Sequence, residues 1–518
     1  MTIENLAQHE ALVQSLMDPA CWVGGGGNRR RIDTHISTVV LAGDLAYKLK
    51  KPLDLGFLDF LSIESRRRAC LEELRLNSRL APDIYQAVCA VTGSIARPAI
   101  DGGGEVIDWA VRMVRFDPDA ILSNLANRLD HPLIDSLAAR VARFHAEAAY
   151  CDPGAPYGGP EAVQAPMRQN LEQIRAYCPQ LADPLDTLDA WTSGQYHRLN
   201  PVLRKRKSES HVRECHGDLH LGNVALIDEQ PVVFDAIEFN PGLRWIDTIN
   251  DVGFMTMDLQ ERGRGDLAFR FLDRYLQDSG DYQGMAVLCF YEVYRALVRA
   301  KVAAIRSAQE DLADEMRAAL YSELNGYLSF AQQLAEPRRG AVIITRGVSG
   351  SGKSHVSQTL PDFLPAVRLR SDVERKRILG LDPRSEAGPD AYSGDLTDKT
   401  YARLETLART VAGAGYVAIA DATFLRRDQR KRFQDLAASL NVPFAIIDCD
   451  APEEVLRERI IGRAQKEDNV SDADLAVLRV QLNLHEPLSE EELAFSLPVR
   501  PDRPLDHERL VSMVKTKG

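Results

Sequence analysis

The sequence predicts a two-lobe α+β domain followed by an α/β domain with a parallel sheet, and three observations predict it. The chain has 518 residues, more than the roughly 100–200 residues of one ordinary domain. Before residue 336, strand-like segments give way to long helical ones. After residue 340, strands and helices alternate, which is typical of a parallel sheet flanked by helices.

The composition is that of a globular protein, with 45% hydrophobic and 27% charged residues. Its 63 basic and 75 acidic residues give a net charge of −12, which argues against constitutive coating of nucleic acid or an anionic membrane. No segment approaches the ~18 apolar residues of a membrane span, and the start lacks a secretion signal. We therefore expect a cytoplasmic protein. The eight cysteines form no C-x-x-C pair, so neither disulfides nor a zinc site are indicated.

The first domain begins with a predicted β-hairpin, residues 34–41 and 45–50, around the turn Ala42-Gly43-Asp44. A helix is predicted at about 63–80 and further β structure at 106–116. The rest of the domain is mostly helical, with short strands around polar loops near 211–239. A basic run, Arg204 to Lys207, is interpreted as a solvated loop rather than a nucleic-acid contact.

The second domain begins after Glu336-Pro337-Arg338-Arg339-Gly340, which interrupts the helical pattern. Predicted strands at 341–345, 416–420 and 444–447 alternate with a helix starting at Lys353 and another at about 427–440. The domain boundaries predicted from these changes are 1–335 for the first domain, 336–340 for a linker and 341–518 for the second.

A phosphate-binding loop follows the strand at 341–345 and fits the complete pattern G-x-x-x-x-G-K-S. Its glycines let backbone N–H groups close around phosphate oxygens, Lys353 reaches the outer phosphates and Ser354 can ligate Mg²⁺. The strand–loop–helix context makes a chance match improbable. The predicted nucleotide-binding residues are Gly347, Val348, Ser349, Gly350, Ser351, Gly352, Lys353 and Ser354.

Three further groups in this domain have the right chemistry for phosphoryl transfer. Asp372 follows a short apolar strand and can accept a hydroxyl proton, while Arg375 can hold the acceptor. Asp421 ends the strand at 416–420 and can hold Mg²⁺. Asp372 and Asp421 are also plausible as helix or strand caps. The arginines of the helix after Pro452 can neutralise a transferring phosphoryl group, or form surface pairs with nearby glutamates.

In the first domain, His216-Gly217-Asp218 is followed by Asn223, five positions after the aspartate. This is the kinase catalytic-loop spacing, in which Asp218 accepts the hydroxyl proton and Asn223 ligates Mg²⁺. The strand at 232–234 leads to Asp235, the natural second metal ligand. His216 and His220 suggest a metal pair, but without a suitably spaced third ligand a loop-ordering role for His216 is favoured.

The motifs of residues 338–510 resemble the small P-loop kinases, a group that includes polynucleotide 5′-kinase, gluconate kinase, chloramphenicol phosphotransferase and zeta toxin. The resemblance implies that Asp372 is the hydroxyl-activating aspartate, Arg375 the acceptor-side arginine, and Arg459 or Arg463 the lid arginine. The D-x-x-R and D-x-T spacings lean toward the polynucleotide-kinase branch.

Residues 25–330 resemble the aminoglycoside phosphotransferase and choline kinase-like family, which implies the two-lobe protein-kinase fold. The resemblance also implies a nucleotide-anchoring lysine, for which Lys48 is favoured over Lys50, and a partner glutamate, for which Glu73 is favoured over Glu72. Met113 to Phe116 would touch adenine. Gly24 to Gly27 lack the kinase G-x-G-x-x-G form and are interpreted as a flexible turn.

The whole chain thus resembles bacterial fusions of an aminoglycoside phosphotransferase-like domain with a P-loop kinase domain. The resemblance predicts a bifunctional kinase that uses ATP and Mg²⁺ to phosphorylate a hydroxyl-bearing acceptor, either a small molecule or a nucleic-acid 5′ end. The alternative is an ATP-dependent regulator in which one module senses nucleotide or ligand and controls the other. A mechanical P-loop ATPase comes third. The oligomeric state and the acceptor are not indicated.

Overall fold

The computed structural model describes residues 2–18, 21–22, 29–54, 56, 58–309, 312–382, 385, 394–463 and 475–515. The strands of these residues are β1 (Arg29–Asp33), β2 (Ser37–Ala42), β3 (Leu45–Lys50), β4 (Tyr85–Ser94), β5 (Arg97–Ile100), β6 (Val106–Val114), β7 (Val212–Glu214), β8 (Val224–Ile227), β9 (Gln230–Val233), β10 (Trp245–Asp247), β11 (Ala341–Arg346), β12 (Ala366–Arg370), β13 (Val417–Asp421), β14 (Phe444–Cys449) and β15 (Ser496–Val499).

The helices of the same residues are α1 (Leu6–Leu16), α2 (Ile63–Asn77), α3 (His131–Glu147), α4 (Pro160–Tyr177), α5 (Ala182–Ser208), α6 (Pro241–Arg244), α7 (Thr248–Glu261), α8 (Gly265–Ser279), α9 (Met285–Ser307), α10 (Asp314–Ala335), α11 (Lys353–Ser357), α12 (Ser371–Ile378), α13 (Gly394–Gly413), α14 (Arg427–Ser439), α15 (Glu453–Arg463), α16 (Leu475–Asn483), α17 (Glu490–Leu493) and α18 (His507–Val514). None of them is long and apolar enough to cross a membrane.

Spatial contacts divide the chain into two compact units. The first comprises Met1–Leu137, Phe144–Gln169 and Asn200–Asp258. Its six-stranded sheet has the order β1-β2-β3-β6-β4-β5, and every adjacent pair is antiparallel. Helix α2 packs against β4 and β6, and α1 contributes Leu12, Val13 and Leu16 to the apolar cluster on this sheet. The short pairs β7–β10 and β8–β9 follow, as expected for an α+β kinase-like fold.

The second unit comprises Ala138–Arg143, Asn170–Leu199 and Leu259–Gly518. Its five-stranded sheet has the order β12-β13-β11-β14-β15, and all four neighbouring pairs are parallel. The central β11 is buried at every position, because helices cover both faces of such a sheet. The predicted α/β fold with a parallel sheet is therefore confirmed. The helices α8, α9 and α10 belong to this compact unit by their contacts.

Several elements differ from the predictions. The predicted helix from Lys353 ends at Ser357, and a short 3₁₀ turn, Leu360–Asp362, follows with Pro361 in its first turn, where proline's missing N–H is tolerated. The basic run at 204–207 is the last part of helix α5 rather than a loop. Its Arg206 is buried and donates to both carboxylate oxygens of Asp247 at 2.6 and 2.8 Å, so the solvated-loop interpretation was wrong.

Candidate active sites

The predicted catalytic loop of the first unit, residues 216–223, lies between β7 and β8 and is held by hydrogen bonds within the loop. The amide of Asn223 donates to the carboxylate of Asp218 and to its backbone carbonyl, both at 2.9 Å. Phe234 N–H donates to the carbonyl of Asn223 at 3.0 Å, which keeps the next residue, Asp235, beside Asn223. The structure thus brings the side chains of Asp218 and Asn223 into contact and places Asp235 one residue after a backbone hydrogen bond to Asn223.

The ring of His216 holds this loop through hydrogen bonds to two backbone groups. The N–H of Asp218 donates to Nδ1 of His216 at 3.2 Å, so Nε2 carries the proton and donates to the carbonyl of Phe234 at 2.9 Å. Burial lowers the pKa of His216, so the ring stays neutral near pH 7. A neutral imidazole with both nitrogens engaged links the catalytic loop to the strand end that carries Asp235.

Asp251 of helix α7 also supports the loop, and the sequence analysis missed it. Its two carboxylate oxygens accept the backbone N–H groups of His216 and Gly217 at 2.7 and 2.9 Å. Potential ligand atoms of Asp251, His145 and Cys215 lie within 4.8 Å of one another, but the carboxylate of this group is engaged by the loop. The 34-residue separation of Asp251 from Gly217 left no local spacing that could reveal it.

Lys48 of β3 lies between two carboxylates. Its Nζ donates to Glu73 of helix α2 at 2.8 Å and to Asp235 at 2.5 Å. Burial alone would lower the pKa of Lys48, but Asp235 and Glu73 outweigh it and raise that pKa well above the usual value. The lysine is therefore charged, and it joins β3, helix α2 and Asp235, the predicted metal ligand, in one network.

Lys50 points to the same side of β3 but has different partners. It forms ion pairs with Glu73 at 2.5 Å and with Glu238, and it is fully buried. Glu72, in contrast, pairs with Arg75 and Arg244, at 2.7 and 2.6 Å. The contacts thus place Lys48, rather than Lys50, next to Asp235, and Glu73, rather than Glu72, next to Lys48.

Met113, the residue predicted to touch adenine, lies near the end of β6. It is buried in an apolar cluster that also contains Tyr85 and Val111, with Phe116 and Phe234 packed against it. The rings of Phe116 and Phe234 are 5.1 Å apart. The segment therefore offers an apolar wall next to the strand end that carries Asp235. The glycine run Gly24 to Gly27 lies outside the described residues.

The phosphate loop of the second unit connects β11 to α11. A Cβ on Gly347, whose φ is +140°, would lie 2.1 Å from the carbonyl oxygen of Cys449, so only glycine fits this turn. The Nζ of Lys353 donates to the carbonyl of Val348 at 2.9 Å, which folds the lysine over the loop. The buried hydroxyl of Ser351 has no hydrogen-bond partner among the described residues, as suits a loop built to donate to phosphate.

Asp421 ends β13 beside this loop. One of its oxygens accepts the hydroxyl of Ser357 at 2.9 Å, and the other accepts the hydroxyl of Thr345 at 3.4 Å. The sequence analysis did not identify Ser357 as a partner of Asp421. Ser357 lies three residues after Ser354, one turn along the same helix, and this spacing could have indicated the contact. Asp421 and Ser354 supply the oxygen ligands that Mg²⁺ prefers, so the residues fit such an ion.

Asp372 and Arg375 lie in helix α12, directly after the edge strand β12. The guanidinium of Arg375 donates to the carboxylate of Asp372 at 2.8 Å. The Asp372 side chain is one-quarter exposed, whereas that of Arg375 is mostly buried. The structure thus joins the predicted base to the predicted acceptor-side arginine.

Helices α15 and α16 lie over the phosphate loop. Arg459 donates to the carbonyl of Gly350 at 3.2 Å, and Gln481 accepts the N–H of Ser349 at 2.7 Å. The role of Gln481 was missed because no motif surrounds it. The side chain of Arg463, the other candidate lid arginine, lies outside the described residues.

These groups open onto one cavity of 1030 Å³. The phosphate loop forms one part of its lining. Charged side chains of both signs form a second part, and apolar side chains of α16 form a third. Of the predicted residues, it is lined by Ser349, Gly350, Gly352, Lys353, Ser354, Asp372, Arg375, Asp421 and Arg459. A cavity of this size accommodates a nucleotide together with part of an acceptor.

Comparisons with known proteins match two different families to the two parts of the chain that contain these candidate sites. Residues 60–288 match the model of the phosphotransferase enzyme family, and residues 342–488 match that of an AAA domain. Uncharacterized proteins of Mycobacterium bovis and Mycobacterium tuberculosis are 30% identical over 443 residues, which is 83% of this chain and 86% of each relative.

Solved structures resemble each half separately. A choline/ethanolamine kinase family protein of Mesorhizobium loti is 13% identical, with 63% of this chain and 95% of that chain covered and a TM-score of 0.37. The APS kinase of Mycobacterium tuberculosis, solved in complex with AMPPNP and APS, is 20% identical, with 35% and 100% covered and a TM-score of 0.26.

Proposed function

This chain belongs to the same family as its mycobacterial relatives and joins a phosphotransferase domain to a P-loop kinase domain, and from that premise we propose that it is an ATP- and Mg²⁺-dependent kinase with two transfer sites. Each site transfers the γ-phosphoryl group to a hydroxyl. The observation that carries the proposal is the cavity in which Lys353, Ser354, Asp372 and Asp421 meet. We further propose that the protein works in the cytoplasm, where ATP is available.

In the P-loop site, each residue has one task. The loop backbone, Gly347 to Ser354, and Lys353 bind the phosphates, Ser354 and Asp421 hold Mg²⁺, and Asp372 takes the proton of the attacking hydroxyl. Arg375 orients the acceptor through its contact with Asp372. Arg459, or Arg463, adds positive charge beside the transferring group. Mg²⁺, when bound, neutralises charge on the phosphates.

In the first site, Asp218 takes the proton, and Asn223 and Asp235 hold the metal. Lys48 binds the phosphates and is kept in place by Glu73, while Met113 lies against the base of the nucleotide. The direct contact between Lys48 and Asp235 supports this assignment, because phosphate and metal must meet at the same point.

The acceptor of each site is a hydroxyl-bearing molecule, either a small molecule or a nucleic-acid 5′ end. The test is a screen of the full chain with γ-labelled ATP, Mg²⁺, a metabolite panel and oligonucleotides with free 5′ hydroxyls, read by which species gains label. Lys353→Ala should abolish labelling of one acceptor, and Asp218→Asn labelling of the other. Losses on the order of 10²–10⁴-fold are expected.

Lys399→Ala is the matched control for Lys353→Ala, because Lys399 is an exposed lysine on α13 that pairs with Asp395. It should leave labelling unchanged. If no acceptor gains label and no ADP forms across the screen, the proposal fails, and the regulator alternative, with nucleotide binding but no turnover, is favoured instead.

A further inference from the structure

The family match of helix α8 and the compact unit in which it packs belong to different parts of the chain. The phosphotransferase family match extends to residue 288 and so includes α8, Gly265–Ser279. By its contacts, however, α8 belongs to the compact unit of the P-loop sheet, where it packs against β12. Helix α8 therefore lies within the residues matched by the phosphotransferase family, but it packs in the compact unit that contains the P-loop sheet.

The first contact completes the edge of the sheet. Strand β12 is an edge strand that pairs only with β13 among the described strands. Such an edge leaves backbone N–H and C=O groups unpaired. Here Asp273 of α8 accepts the N–H of Arg368 at 2.6 Å, and the hydroxyl of Tyr282 donates to the carbonyl of the same residue at 3.1 Å.

The second contact is a buried ion pair. The other oxygen of Asp273 accepts from Nε and Nη2 of Arg368 at 2.9 and 2.7 Å, and from the amide of Gln277 at 2.6 Å. The side chains of Asp273 and Arg368 are only 3% and 14% exposed. Removing one partner of such a pair leaves an uncompensated buried charge, so the contact is hard to break.

The third contact fixes the helix that follows the strand. The guanidinium of Arg377, in α12, donates to the carbonyl of Gln277 at 2.6 Å. Arg370, the last residue of β12, donates to the side-chain oxygen of Gln277 at 3.3 Å. Helix α8 therefore holds the chain before and after the segment that carries Asp372 and Arg375.

We propose that α8 positions the acceptor half of the P-loop site, with Asp273 as the positioning residue that holds β12 and, through it, Asp372 and Arg375. The inference rests on the proposed function, in which Asp372 takes the acceptor proton. A displacement of about 1 Å at a reacting group can cost about 10²-fold in rate. The phosphate loop does not contact α8 through these bonds, so nucleotide affinity is expected to stay unchanged.

The test uses the full chain carrying Asp235→Asn, so that only the P-loop site turns over. Asp273→Ala should speed amide exchange in residues 367–378 by about tenfold or more, since exchange follows local opening. ADP formation from Mg²⁺·ATP, with water as acceptor, should fall about 10–100-fold. The affinity for AMP-PNP and the KM for ATP should change less than about twofold, which separates misplacement of Asp372 from loss of the nucleotide site.

Asp278→Ala is the matched control, because Asp278 lies on the same helix and pairs with Arg274 at 2.8 Å. It should leave exchange and ADP formation unchanged. Tyr282→Phe is the second variant, which removes one hydroxyl and keeps the ring. It should raise exchange of residues 367–378 by about two- to tenfold, as expected for one lost hydrogen bond, even if Asp273→Ala does not fold.

Unchanged exchange in both Asp273→Ala and Tyr282→Phe would overturn the proposal, as would faster exchange with unchanged ADP formation. Failure of the proposed function has a different signature. In that case Asp372→Asn would leave ADP formation unchanged, while the exchange measurements would still report whether α8 holds the β12–α12 segment.

Discussion

In both proposed sites, the predicted base accepts a hydrogen bond from a neighbouring side chain that is itself predicted to bind metal or acceptor. Asp218 accepts from Asn223, and Asp372 accepts from Arg375. A donor of this kind fixes the orientation of the carboxylate that would receive the proton of the incoming hydroxyl. The same contact also fits a purely structural cap, so substitution has to separate the two roles.

Asp372→Asn is expected to keep nucleotide binding and to lose transfer at the P-loop site. The amide preserves the shape of the side chain but cannot take a proton, and general-base catalysis contributes about 10²–10⁴-fold. AMP-PNP affinity measured by calorimetry and label transfer measured with the acceptor found by the screen check the prediction. Asp395→Asn, at an exposed position of α13, is the control. Loss of nucleotide binding would instead show that Asp372 is a cap.

His9 predicts a pH dependence of stability. Burial, assisted by the positive charges of Lys51 and Arg66, lowers the pKa of His9 from 6.5 to about 4. Between these values the unfolded chain binds a proton that the folded chain does not, so stability falls as the pH drops from 6.5 toward 4. The effect amounts to about 2 kcal/mol between pH 7 and pH 5.

Urea-unfolding free energies at pH 5 and pH 7 test this. The wild-type chain should lose about 2 kcal/mol more than His9→Gln on going from pH 7 to pH 5. Equal losses in the two proteins would show that the ring of His9 does not stay neutral in the folded chain.

Among the elements, those with strong local patterns were predicted with nearly the observed bounds. The strand predicted at 341–345 is β11, Ala341–Arg346, and the helix predicted at about 427–440 is α14, Arg427–Ser439. Strands β1, β4, β5, β10 and β15 were not predicted. Strand β15 has only four residues and contains Pro498, which is tolerated because β15 lies at an edge of the sheet.

The end of α8 offers an element-level test of its contact with α12. Gly280 and Gly263 both have φ of +75°, but a Cβ on Gly280 would lie 2.7 Å from Nε of Arg377, whereas one on Gly263 has nothing within 4 Å. Each Gly→Ala change should cost about 1–2 kcal/mol for the left-handed backbone. Gly280→Ala should cost more, because Arg377 must leave Gln277 to make room.

Thermal melting of the two variants measures this difference directly. Gly280→Ala should have the lower melting temperature, and Gly263→Ala reports the backbone cost alone. Equal melting temperatures would mean that Arg377 moves aside freely and that the contact between α8 and α12 is weak.

For the whole molecule, the central expectation is two nucleotide sites in one chain. Each proposed site has its own lysine, base and metal ligands, namely Lys48, Asp218, Asn223 and Asp235 in the first and Lys353, Asp372, Ser354 and Asp421 in the second. Titration with AMP-PNP and Mg²⁺ should give two equivalents per chain. The stoichiometry should fall to one with Lys353→Ala and to one with Asp235→Asn.

Calorimetry of the intact protein and of each variant measures these stoichiometries. If the two sites are coupled, loss of one changes the affinity of the other, since coupling between binding sites is reciprocal. A single equivalent that disappears with Lys353→Ala alone would contradict nucleotide binding by the first site and leave acceptor capture or regulation as its role.

The predicted boundary at residues 336–340 stays a prediction. The chain does pass there from α10 to β11, which agrees with the change of sequence pattern. The contacts, however, place Leu259–Gly518 in one compact unit. A fragment beginning near residue 338 would lack Asp273, so we expect its edge strand β12 to be poorly held.

The phosphate loop, the catalytic loop and the fold class could be derived from the sequence because each depends on residues that are close along the chain. Local backbone geometry then dictates the residue type, as at Gly347, whose φ of +140° favours glycine. Tertiary packing was needed to distinguish Lys48 from Lys50, since both point to one side of β3 and differ only in their distant partners. It was also needed to place α8 against β12, because the pairing of Asp273 with Arg368 spans 95 residues and follows from packing rather than from any local pattern.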